Sequence, residues 1–95
     1  MELHELIDQV KDRSSFLAFV SALIADREEE VEIEKHTPSS PYGPGARGWE
    51  NGTIEAYLGS ALAWAENSMG QDQEMPEEPS WKAFAVFLYC GKIYE

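Results

Sequence analysis

Bases, cysteines and long apolar runs are scarce in this chain, and each scarcity removes a class of function. Seven lysines and arginines stand against eighteen acids in 95 residues, a formal charge of -11. A surplus of that size argues against direct contact with nucleic acid or an anionic membrane and leaves room for a basic protein partner. Cys90 is the only cysteine, so no internal disulfide can form and a reducing compartment is expected. The amino-terminal stretch mixes Glu2, Glu5 and Asp8 with its apolar residues, which reads as neither signal peptide nor membrane span. The expected location is the cytoplasm.

Motifs for chemistry are equally sparse. His4 and His36 share no metal-ligand spacing with Cys90, and Asp72 and Glu74 do not complete a calcium loop. Gly43, Gly45 and Gly48 lack the spacing and the Lys-Ser or Lys-Thr ending of a phosphate-binding loop. Glu50, Glu55 and Glu66 suggest a carboxylate site, but Glu55 and Glu66 on one helix would lie about 16 Å apart, too far for a glycosidase pair. Neither a metal nor a cofactor is expected. Cys90 sits among apolar residues and reads as a small core residue rather than a nucleophile.

What is present is helical patterning. At 43% hydrophobic residues, the chain suits one all-α domain over residues 1–95, a compact bundle of about four helices. Leu3, Leu6, Ile7 and Val10 form a first short stripe; Asp12 or Ser14 can cap a second helix carrying Phe16, Phe19, Val20, Leu23 and Ile24 up to the acids near Asp26. Val31 and Ile33 alternate weakly with glutamates, which allows a minor edge strand near residues 30–34 although adjacent glutamates repel and the run is brief. Three prolines and three glycines between Thr37 and Gly48 predict a flexible insertion at 37–48.

Thr53 is a suitable cap for a third helix whose apolar positions, Ile54, Tyr57, Leu58, Ala61, Leu62, Trp64, Ala65 and Met69, cover an arc of about 160°. Ala56, Gly59, Ser60 and Ala63 lie opposite, where another helix could approach closely. Pro76 and Pro79 punctuate the next connection, and Ser80 caps a final helix from Trp81 to Tyr94. Phe84, Val86, Phe87, Leu88, Tyr89 and Ile93 spread around that helix, which places it at the centre of the bundle or at an interface with a second copy. Lys82 and Lys92 fall broadly on one side, where they can pair with acids.

Ten of the acids lie in two runs, Asp26 to Glu34 and Asp72 to Glu78, opposed inside those runs by Arg27 alone, a net -9. The expectation is one acidic rim formed by both runs, with apolar anchors beside it: Glu28, Glu29, Glu30, Glu74, Glu77 and Glu78 for charge, and Trp49, Glu50 and Trp64 at the contact. The competing use of the tryptophans is as core, with Trp49 at the start of the third helix and Trp64 in its stripe.

The segments Trp49-Glu50-Asn51, Tyr57-Leu58 with Trp64, and Pro79-Ser80-Trp81-Lys82-Ala83-Phe84-Ala85 followed by Ile93-Tyr94-Glu95 resemble an uncharacterised family of small, acidic bacterial proteins, a domain of unknown function. The resemblance implies a compact helical domain and carries no catalytic residues; it is weakest across Pro38 to Gly48. Three functions stay open: a protein-binding module, such as an inhibitor or immunity-like protein with a basic partner; a homo-oligomeric structural or accessory protein pairing through the final helix; and a small enzyme using a carboxylate site.

Overall fold

The computed structural model describes residues 1–40, 44–67 and 75–94. They form four helices, α1 (Leu3–Ile7), α2 (Arg13–His36), α3 (Ile54–Asn67) and α4 (Trp81–Ile93), and no strand occurs among the described residues. Helix α4 packs against each of the other three, whereas the backbones of α2 and α3 stand apart, with no Cα pair within 8 Å. The most apolar helix is therefore the axis of the bundle, as its circumference of hydrophobic side chains requires.

The capping signals act where they were read. Asp12 accepts from the Ser15 backbone N–H at 2.8 Å and from its hydroxyl at 2.7 Å, which starts α2 and holds the Asp12 carboxyl below its usual pKa. The Thr53 hydroxyl accepts from the Ala56 N–H at 3.1 Å, and the Ser80 hydroxyl accepts from the Ala83 N–H at 3.0 Å. Leu3, Ile7, Val10, Phe19, Leu23, Trp49 and Ala85 make one buried core, bringing α1, α2 and α4 together with the segment that precedes α3. Cys90 is buried in α4, and burial pushes its thiol pKa up to about 11.

Two expectations need correction. The minor strand at 30–34 does not form, and α2 does not stop near Asp26: it runs without a break to His36 and ends where the Thr37 N–H bonds the Ile33 carbonyl. Glutamate is a good helix former, and in a helix Asp26, Glu30 and Glu34 recur every four residues on one side. The described part of the Pro/Gly-rich segment lies against that side, and the bonds it makes there reward the helix in a way an edge strand could not.

The second correction concerns α3. Ala61 and Trp64 are buried, but Ile54, Leu58 and Leu62 form an exposed row. Among the helices α3 packs on α4 alone, with Tyr57 also against Trp49, so the covered strip is narrower than the apolar arc. Met69, assigned to the same stripe, lies outside the described residues.

Candidate functional site

On one side of α2, a polar network ties the segment after α2 to the bundle. Asp26 is 8% exposed and accepts from Lys92 Nζ at 2.7 Å, from the Trp49 indole Nε1 at 2.8 Å and from Arg47 Nε and a terminal guanidinium nitrogen at 3.2 and 3.1 Å. Burial is the largest influence on its pKa and pushes it up. The bonds from Lys92, Trp49 and Arg47 outweigh that and hold it below its ordinary value.

One turn on, Glu30 is almost completely buried and accepts from Arg27 at 2.7 Å and from the backbone N–H groups of Arg47 and Trp49 at 3.1 and 3.2 Å. A further turn on, Glu34 accepts from the Ser39 and Ala46 N–H groups at 2.6 and 2.9 Å. Bonds from the Ser39 hydroxyl and backbone, in that order, lower the Glu34 pKa. The Gly45 backbone lies so close to the Glu30 carboxylate that a Cβ there would overlap it, and Gly48 has φ of +84°, so both glycines are required by the path of the chain.

The other side of α2 is apolar and open. A groove of about 510 Å³ lies between α2 and α3. Val20, Leu23, Ile24 and Arg27 form one wall, Ile54, Tyr57 and Leu58 the other, and Leu88 of α4 lies between them. Trp49 closes one part: its ring stacks on Tyr57 with centroids 6.0 Å apart, and the Arg27 guanidinium carbon lies 5.4 Å from its centre. Tyr57 is anchored in turn, its hydroxyl donating to the Leu88 carbonyl at 2.7 Å; burial, then Cys90, pushes its pKa up to about 12. Three groove residues are left largely in water: Ile24, Ile54 and Leu58 are 56%, 77% and 51% exposed.

The groove lining carries one charge of each sign, Arg27 and Glu28. The Arg27 charge is committed to Glu30, and Arg27 also donates to the Gly52 carbonyl at 3.3 Å. Glu28 lines the groove and is exposed, and it makes no ion pair among the described residues. No three His, Cys, Asp or Glu side chains converge to hold a metal among the described residues.

The residues singled out in the sequence separate into different roles. Trp49 and Trp64 are both 8% exposed, so neither offers an indole to a partner, although the Trp49 ring reaches the groove lining. Glu30 is internal; Glu28 and Glu29 are exposed, with Glu29 3.7 Å from Arg47. Glu50 is partly buried and its N–H donates to the Lys92 carbonyl at 2.9 Å. Glu77 and Glu78 are exposed ahead of α4, while Glu74 lies outside the described residues. Lys92 does pair with an acid of the first run, whereas Lys82 is 3.8 Å from Asp8 at the surface.

Asp26, Arg47 and the row Ile24, Ile54 and Leu58 were not picked out as site residues. A signal for the first existed in the i, i+4, i+8 spacing of Asp26, Glu30 and Glu34; the exposure of the row depends on which helices touch and has no sequence signature.

A model described as a family of unknown function (DUF7660) matches residues 12–95. The chain belongs to this family. The DUF7660 segment contains the whole Asp26 network and every groove residue, while α1, which supplies Leu3 and Ile7 to the core, precedes it. No curated protein and no solved structure matches the chain. No helix among the described residues is long and apolar enough to cross a membrane.

Proposed function

We propose that this chain is a protein-binding module whose contact surface is the groove between α2 and α3 and whose partner is basic. The observation that carries the reading is the exposure of Ile24, Ile54 and Leu58 along one groove, beside an acid with no internal partner, Glu28, among the described residues. Contiguous exposed aliphatic surface costs solubility and is retained where something covers it. The charge of -11 speeds encounter with a cation and disfavours nucleic acid and anionic membranes. An inhibitory or immunity-like role in the bacterial cytoplasm, with the acidic chain covering the working face of a basic protein, is the setting this chemistry fits; the reading involves binding without catalysis.

The test compares capture of partners from the native cell by the wild-type chain, by Ile54→Gln/Leu58→Gln and by Glu77→Gln, each at low and high salt. A basic protein retained by wild type and Glu77→Gln, lost with the double variant and weakened by salt supports the reading. Equal retention by all three would remove the groove as the contact surface.

A second reading rests on α4. Phe16, Trp81 and Phe84 form an aromatic cluster with ring centroids 5.3 to 6.3 Å apart, and Trp81 and Phe84 remain partly exposed. A homodimer through the final helix would cover it. Sedimentation at low micromolar concentration decides this: a dimer abolished by Trp81→Ala supports it, and a monomer eliminates it.

A further inference from the structure

We infer that the occupant of the groove is a single amphipathic α-helix of a basic partner, laid between α2 and α3 with its apolar stripe on Ile24, Ile54, Leu58 and Leu88 and its lysines or arginines toward Glu28. The inference rests on the groove being the contact surface and adds the form and chemistry of what fills it.

The walls decide between a helix and a strand. Both are mainly helices, whose interior backbone groups are already paired, and in the short non-helical segment 49–53 that also lines the groove the Trp49 N–H, the Trp49 carbonyl and the Glu50 N–H are taken, so an extended peptide would find no continuous ladder of free N–H and C=O groups. The Gly52 carbonyl, at the turn that also lines the groove, is already taken by Arg27 at 3.3 Å. A helix satisfies its own backbone and asks the groove only for apolar contact.

Helix α4 supplies the geometric reason. It carries α2 and α3 as neighbours with no Cα pair within 8 Å of one another, and a helix laid in the groove between them would pack its ridges against both, as an added member of the bundle does. On α2 the lining runs from Val20 to Glu28, about 12 Å of helix, so about two turns of the partner lie in contact. That length presents about three anchors in the i, i+4, i+7 pattern.

Charge decides between a foreign helix and a second copy. Each copy carries -11, and two copies joined at the groove would bring like charge to a mouth already marked by Glu28. A cationic helix removes that repulsion and gains steering at the same place.

The test uses a synthetic capped 16-residue helix with a Leu stripe at i, i+4, i+7 and i+11 and lysines on both flanks of the stripe. Two control peptides accompany it, one with the leucines redistributed around the helix and one with the lysines replaced by glutamate. Binding is followed by amide and methyl NMR shifts of the full chain. The expected result is a shift set centred on Ile24, Ile54, Leu58 and Leu88, with Kd raised about tenfold or more by either control peptide and by Leu58→Gln. Leu58 is half in water, so that variant keeps the fold, and Ile54→Gln provides an independent check at the most exposed position.

Equal binding of the redistributed peptide, or shifts centred elsewhere, would overturn the inference. Self-association of the chain that Leu58→Gln abolishes would overturn it in favour of a second copy. If the native partner is lost with Leu58→Gln while no striped peptide binds, the groove stands as the contact surface and the helix falls as its occupant. If the peptide binds but native capture ignores the groove variants, the helix-binding inference stands and the proposed physiological surface falls.

Discussion

Asp26 and Ile24 are two residues apart on α2 and about 160° apart around it, and they face opposite kinds of neighbour. Asp26 meets Lys92, Arg47 and the Trp49 indole, so that side of the helix is closed by a chain segment through directional bonds. Ile24 meets the open groove, on whose far wall α3 stands with no Cα within 8 Å of α2. One side of the helix has used its acids to hold the protein's own chain. The other keeps aliphatic surface that nothing among the described residues covers. Polar side chains on this helix contribute to cohesion beside the buried Phe19 and Leu23, while Ile24 stays largely in water, which is not the division that an acid-rich composition suggests.

The comparison breaks most visibly at Asp26. Replacing it with Ala leaves Lys92, 7% exposed, and the Trp49 N–H facing a space without their acceptor, and such a loss costs about 3 kcal/mol or more. Urea unfolding should show a loss comparable to that of truncating Phe19, fully buried on the same helix. A loss near zero would mean the network is dispensable. The apolar pair Asp26→Leu/Lys92→Met should recover much of the stability, because both charges leave together.

Next comes Gly91, which links the two sides through the groove wall. An added Cβ there would lie 2.7 Å from Tyr57 Cε1, and the Tyr57 ring is fixed by its bond to Leu88. Gly91→Ala should therefore cost about 1–3 kcal/mol by overpacking and displace the α3 wall. NMR shifts should extend to Leu58 and Ile54; shifts confined to α4 would show that the wall is not positioned by this contact.

Acid separates the sides more gently. Asp26 has a folded pKa below its unfolded value of about 3.8, so its contribution is complete above that value and disappears as pH falls through the folded pKa. Lower pH also relieves the repulsion within a chain of charge -11, which acts in the opposite direction. The informative quantity is thus the difference between wild type and Asp26→Asn. Their stabilities should converge from about pH 5 to about pH 3. Parallel curves would show that the Asp26 charge does not contribute to folding.

The helices, their caps and the central place of α4 were readable because each follows from local periodicity and from the hydroxyl or carboxylate just before a stripe. The polar side of α2 was only half readable. Asp26, Glu30 and Glu34 carried the helical spacing, but Val31 and Ile33 carried a competing alternation, and the pattern gains meaning only once residues 44–49 lie against it. The tryptophans were ambiguous for a different reason: an indole has a polar N–H and a large apolar face, and Asp26, a distant residue in sequence, decides that Trp49 turns inward. The groove was the least readable part. It arises from the separation between the backbones of α2 and α3, and a sequence records no signal for such a gap.

The smallest effects belong at two neighbouring positions of α3, of which Leu58 lines the groove and Gly59 does not. A Cβ at Gly59 would meet nothing within 4 Å, so Gly59→Ala should stabilise by about 0.5–1 kcal/mol through helix propensity alone. Leu58→Gln should change stability by no more than about 0.5 kcal/mol, since its side chain is half in water already. Thermal unfolding of the two variants is a sensitive check on the openness of this side. If Leu58→Gln costs as much as a buried leucine, the row on α3 contributes to cohesion as Asp26 does, and the contrast between the sides of α2 disappears. If it costs nothing while binding is lost, recognition and cohesion are separated on one 24-residue helix.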